Sequence, residues 1–165
     1  MSHDAQFTHA HMVRFERPIE AAPDKVWSVL TNVPLLPGWY GDGVIEPKVG
    51  GKVELMGGHI RGTVTRHQPS RQLSYSWNVF SPGEQESPFP ESYLTLELAP
   101  KADGTLLTLT HLPVLEQFVK LNAMGWHTFL DMVDAASRGA TVEPREACMK
   151  RNAERYGVDL SRLPS

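Results

Sequence analysis

The order and spacing of apolar residues predict an α+β chain: a curved antiparallel sheet of about six strands wrapped around a long C-terminal helix, with two short helices after the first strand. Two periodicities carry this expectation. From about residue 44 to residue 111, apolar residues recur at every second position, as in half-buried strands. From 114 to 139 they recur at every third and fourth position, as on one face of a helix. Short turns rich in glycine and proline join the alternating stretches, so successive strands pair antiparallel in a meander.

The first strand is expected over residues 12–20, where Val13, Phe15 and Ile19 share a side, with Arg17 among them, and Arg14 and Glu16 oppose them. Pro23 then suits the first turn of a helix, because its missing N–H is no loss there. Asp24 in that turn complements the helix dipole. Val26, Trp27 and Leu30 fall on one face of this helix. Pro34 and Pro37 interrupt the chain around a second short helix that leads to Gly38, Trp39 and Tyr40. The alternating sets that follow are Val53 and Leu55; Ile60, Gly62 and Val64; Leu73, Tyr75, Trp77 and Val79; Leu94, Leu96 and Leu98; and Leu107, Leu109 and His111. Ser74, Ser76 and Asn78 take the wet side of their strand by the same alternation. Gly50-Gly51, Gly57-Gly58, Gln68-Pro69-Ser70, a longer loop from Ser81 to Pro90, and Asp103-Gly104 supply the turns. The long helix carries Leu115, Phe118, Trp126, Phe129, Leu130, Val133 and Ala136 as a stripe. Lys120, His127, Asp131, Asp134 and Arg138 lie mostly opposite, and Gly139 ends it. Pro144 opens a further helix that Gly157 closes. Its mixed charges read as a solvated outer helix or a contact with a second copy of the chain. Residues 1–10 are expected as a flexible N-terminus, 11–140 as the domain, and 141–165 as a helical extension.

Composition bounds the function. The chain has 165 residues, 41% hydrophobic and 21% charged, with 16 Lys+Arg against 19 Asp+Glu and a net charge of −3. Such a length builds one real core. No clustered basic face argues for nucleic acid, and no apolar run of about 18 residues argues for a membrane span. One cysteine, Cys148, excludes an internal disulfide, and no secretory signal is evident, so a reducing, cytoplasmic setting is expected. Cys148, in a charged tail, reads as an inert thiol. No G-x-S-x-G, G-x-G-x-x-G or phosphate-loop pattern occurs, which leaves no nucleophile elbow and no nucleotide cradle. His9 and His11 have no third ligand at a metal-binding spacing, so neither a metal nor a cofactor is expected.

A straight helix across a curled sheet fills the centre well and the ends poorly, so a hollow is expected between them. The residues expected to line it are Trp27, Trp39, Tyr40, Tyr75, Trp77 and Trp126, with Leu94, Leu96, Leu109, His111, Phe129 and Leu130. Aromatic rings with polar tips suit an apolar pocket that reads a few polar groups, although rings at these spacings also serve as plain core. His111, at the end of its strand, is the candidate acid or base at the rim, or else its ring nitrogens satisfy nearby polar groups. His127 and Asp131 read as a modest surface pair. The Ser81-to-Pro90 loop reads as a lid, with Phe89 toward the mouth.

The stretch from Ala22 to Thr31, then Trp39, Gly50-Gly51, Leu73 to Trp77, Gly104 to His111, and Gly125-Trp126 resemble the bacterial family named after the activator of Hsp90 ATPase. That family is part of the START-like, helix-grip superfamily, which includes lipid-transfer domains, Bet v 1 allergens and aromatase/cyclases. The resemblance spans roughly residues 10–139 and implies a helix-grip domain. It leaves three functions: a binding module for a small hydrophobic ligand (lipid, aromatic or polyketide-like), a cyclase, aromatase or lyase using the same pocket, and a chaperone-binding protein by analogy with the Hsp90 activator. The tail, with Tyr156, Val158, Leu160 and Leu163, is also a candidate for self-association into a homodimer.

Overall fold

The computed structural model describes residues 3–81 and 83–163. Met1, Ser2, Pro82, Pro164 and Ser165, at the expected N-terminus, lid loop and extension, lie outside the described residues. The elements run β1 (His11–Ile19), α1 (Pro23–Thr31), β2 (Gly43–Ile45), β3 (Lys52–Leu55), β4 (Ile60–Gln68), β5 (Gln72–Val79), β6 (Ser92–Lys101), β7 (Gly104–Val114), α2 (Val119–Ser137) and α3 (Arg145–Tyr156). A 3₁₀ segment, Val33–Gly38, is the short second helix after β1. One antiparallel sheet has the order β1-β7-β6-β5-β4-β3-β2. Irregular pairing between His11 and Val13 and between Val64 and Arg66 adds to its curl. Together with α2 this is the helix-grip architecture.

The sheet has seven strands among the described residues, not about six. The additional one, β2, pairs with β3 over three residues, too short a run to show a period of two. The buried sides of the other strands follow the alternation: Leu73 and Tyr75 on β5, Leu94, Leu96 and Leu98 on β6, and Leu107, Leu109 and His111 on β7. Ser74 and Ser76 depart from it, since both are buried. The Ser74 and Thr95 hydroxyls bond each other at 2.9 Å, and Ser76 Oγ accepts from the Thr63 amide at 2.9 Å. Across from Ser76 sits Gly62, where a Cβ would run into the Ser76 carbonyl. Small side chains under close neighbours are buried without being apolar.

Helix α2 is buried on two sides. Trp126, Leu130 and Val133 belong to the main core, and Met124, Thr128, Met132 and Ser137 are buried as well. Helix α3 packs along α2 and buries Cys148, Asn152 and Ala153. The extension is therefore docked rather than a solvated outer helix. Its anchors are polar: Asn152 Nδ2 donates to Thr128 Oγ1 at 3.1 Å and to Asp131 Oδ2 at 3.2 Å, and the Tyr156 hydroxyl bonds His127 Nδ1 at 2.8 Å. Arg17 on the core side of β1 explains itself in the same place, donating to Asp131 at 2.9 Å. The His127–Asp131 pair is thus part of an interface between helices. Gly157, with φ of 68°, closes α3 in the left-handed conformation that glycine accepts freely.

Candidate functional site

Between the sheet and α2 lies an aromatic chamber. Tyr40 is at its centre: its ring stacks on Trp39 at 3.9 Å and meets Phe129 at 5.1 Å, Trp126 at 6.0 Å and Trp77 at 6.3 Å. Trp39 and Tyr40 are held there because the 3₁₀ segment turns the chain inward after α1. The Trp39 indole N–H donates to the Val29 carbonyl at 2.7 Å. From the other side, Arg145 of α3 donates to the Trp39 carbonyl at 2.6 Å and lies over the Phe129 ring. Strand β5 brings in Tyr75 and Trp77, and α2 brings in Trp126 and Phe129, three apart on one face. Leu94, Leu96, Leu109 and Leu130 are buried in the core beneath these rings.

Among the described residues, the two best-formed concavities, of ≈ 420 and ≈ 380 Å³, lie elsewhere. The first is beside the β6–β7 hairpin at Ile19, Lys101 and Thr105, and the second is near Arg71, Glu97 and Thr108. Three indoles, two phenols and Phe129 pack ring against ring in the chamber. Trp27 stands apart from them. It is half-buried and meets His67 edge-on at 5.7 Å.

His111 is buried, with 2% of its surface exposed, rather than at a rim. The Trp126 indole N–H donates to its Nδ1 at 3.0 Å. An indole nitrogen only donates, so Nδ1 is an acceptor and the proton resides on Nε2. Nε2–H then donates to Ser92 Oγ at 2.8 Å, and Ser92 Oγ–H donates to the Trp77 carbonyl at 3.3 Å. Asn122 Nδ2 shares Nδ1 as a second donor at 3.1 Å. This orientation leaves Asn122 Oδ1 buried without a partner. Burial lowers the His111 pKa to about 4, because the charged ring would lose its water. The imidazole is neutral at neutral pH with both nitrogens engaged.

Two polar residues of this network were not expected from the sequence. Ser92 has the inward parity of Leu94 and Leu96, and Asn122 is four residues before Trp126 on the same helix face, so each carried a positional signal. Arg145 carried none, since its reach depends on where α3 docks.

A second polar feature is wholly enclosed. The Tyr40 and Tyr75 hydroxyls bond each other at 2.8 Å, and both residues are 0% exposed. Burial raises both pKa values above the usual phenol range, so both remain protonated.

Burial decreases toward one end of the chamber. On β5, Leu73 and Tyr75 are fully buried while Trp77 and Val79 are half-buried; on α2, Leu130 and Val133 are buried while Leu121 and Asn122, like Phe118 just before the helix, are half-buried. At this end Phe89 meets Phe118, in the turn before α2, edge-on at 5.0 Å. No group of three or more metal-ligating side chains is gathered among the described residues, and no helix among them is long and apolar enough to cross a membrane.

Comparison with known proteins agrees with this architecture. MLL2253 from Mesorhizobium loti superposes with a TM-score of 0.70 at 26% identity, covering 80% of this chain and 100% of that one. CalU16 from Micromonospora echinospora, in solution, gives 0.71 at 26% identity over 89% of this chain and 85% of its own. DynU16, from the dynemicin biosynthetic locus, gives 0.67 at 21% identity over 78% and 48%, a likeness of fold alone. No functionally curated protein matches. The family described as Activator of Hsp90 ATPase homolog 1-like protein matches residues 20–137, well over half of the sequence, and the chain belongs to that family.

Proposed function

We propose that the chain binds a small hydrophobic molecule, aromatic or lipid-like, between the sheet and α2, entering where Phe89 meets Phe118. The observation that carries this reading is the unpartnered Asn122 Oδ1 at the less buried end of an otherwise aromatic chamber. A buried acceptor without a donor costs about 1–3 kcal/mol. A ligand hydroxyl or N–H at that point recovers the loss, and the rings around it supply the apolar contact. With the rings in mutual contact, entry takes place by Phe89 and the half-buried Trp77 and Phe129 giving way. This places the affinity in ring–ligand contact rather than in a preformed void.

In this reading His111 is a positioning residue. Its low pKa and its two committed nitrogens suit it to hold Asn122, Trp126 and Ser92 in register, and leave it no proton or lone pair for a substrate.

The test is a thermal-shift panel of apolar and aromatic ligands on the full chain. A ligand at 100 times its Kd stabilises the fold by about 2.7 kcal/mol. Hydroxyl- or amine-bearing ligands are expected to shift the wild type more than the Asn122→Ala variant. A panel that moves neither protein overturns the reading.

A further inference from the structure

The hydroxyl pair at the chamber's centre has a consequence for ligand chemistry. Two phenols that bond each other use one O–H as donor and one oxygen as acceptor. The second O–H is left over. Among the described residues neither hydroxyl has any other hydrogen-bond partner, and both side chains are fully enclosed. The rings that carry the pair meet other aromatic rings: Tyr40 meets Trp77, Trp126 and Phe129, and Tyr75 stacks on Trp77. Plain core packing does not need this arrangement: a phenylalanine at either position would keep the ring contacts without enclosing a spare O–H.

We propose that the Tyr40–Tyr75 pair is the polar recognition point for a ligand carbonyl, so that the substrate class of the chamber is planar aromatic ketones and related carbonyl compounds rather than plain hydrocarbons. The proposal rests on the ligand-binding reading above and adds its chemical selectivity. One hydroxyl donates to the carbonyl oxygen and the other donates to the first. A two-donor relay of this kind strengthens the terminal bond, because each hydroxyl polarises the next in a low-dielectric interior. Both phenols stay protonated at any physiological pH, so the donor is always available. The acceptor must be uncharged, because among the described residues no cation bonds either hydroxyl and a buried carboxylate would go unpaired. The Tyr40 ring stacks on Trp39, which the bonds to Val29 and from Arg145 hold in place.

Fluorenone and fluorene share a ring frame and differ in the carbonyl, which makes them a direct probe. With the full chain, calorimetric titration is expected to give about tenfold tighter binding for fluorenone than for fluorene. In Tyr75→Phe that preference falls to about twofold or less while fluorene binding persists. Tyr40→Phe is the second variant, with the same expectation if Tyr75→Phe does not fold. The infrared carbonyl stretch of fluorenone is expected at lower wavenumber when bound to the wild type, and near its apolar-solvent position when bound to either variant. Equal affinity for the two probes, or an unshifted carbonyl band in the wild type, overturns the carbonyl proposal and leaves the binding reading intact. Absence of binding by both probes and by the wider hydrophobic panel overturns both.

Discussion

His111 shows how one side chain connects burial to pH. Its folded pKa is lowered to about 4 by burial, against an ordinary value of 6.5. Between those values the unfolded chain takes up a proton that the folded chain refuses, so stability rises with pH across this window. Acidification from pH 7 to 4 is therefore expected to remove on the order of 3 kcal/mol through this residue alone. Above pH 6.5 the ring is neutral in both states and contributes no slope. His127 acts in the same sense, its pKa lowered chiefly by burial with Asp131 opposing. Asp131 acts at lower pH. Burial raises its pKa, but the bonds from Asn152 and Arg17 outweigh that, so its stabilising effect is lost only as pH falls below the usual carboxylate range. Denaturant melts at pH 7 and pH 4.5 check this. The His111→Gln variant is expected to lose much of the slope, because an amide keeps a donor and an acceptor without titrating. That His111 faces inward was legible from its parity with Leu107 and Leu109. Its tautomer was not, because Trp126 and Ser92 come from other elements and only their meeting assigns the proton.

At the scale of elements, helix α3 is the part least legible in sequence. Its ends were readable from Pro144 and Gly157, since proline and glycine punctuate by backbone geometry alone. Its seat was not, because it buries only the small Cys148 and Ala153 beside polar Asn152, and so short an apolar face within a charged segment reads as wet. Asn152 is 0% exposed; its Nδ2 donates to Thr128 and Asp131, and its Oδ1 accepts from Arg155 Nε at 3.4 Å. Asn152→Ala leaves a buried hydroxyl and a carboxylate without that donor. The expected cost is about 1–3 kcal/mol, read from the urea midpoint at pH 7. Asn152→Asp also loses the donor to Asp131 and sets a second carboxylate beside it, a repulsion that Arg155, which already donates to Oδ1, offsets in part. Strand β2 was missed for a different reason: three residues cannot display a period. The burial of Ser74 and Ser76 was missed because alternation assigns a face by polarity, whereas a small serine beside Gly62 is hidden by its neighbours. By contrast α2 and strands β3 to β7 carried enough repeats for period alone to place them.

Over the whole molecule, residue types foretold an aromatic interior but not its filling. Sequence lists the rings, whereas their rotamers decide whether a void remains, and here Tyr40 occupies the middle. Edge-on and offset ring pairs contribute about 0.5–1.5 kcal/mol each beyond their area, so Tyr40, in contact with four rings, is a keystone whose loss is felt throughout the core. The four tryptophans report on this arrangement unequally. Trp39, Trp77 and Trp126 surround the chamber, and Trp27 lies against His67 away from it. A molecule that enters between the sheet and α2 must therefore perturb three indoles and leave the fourth unchanged. Fluorescence titration with fluorenone is expected to quench the wild type and Trp27→Phe to the same apparent Kd. Trp77→Phe, at the less buried end, is expected to weaken binding and to reduce the amplitude. Loss of the response in Trp27→Phe alone would instead put the ligand on the far side of α1, near His67, and would leave the chamber as core.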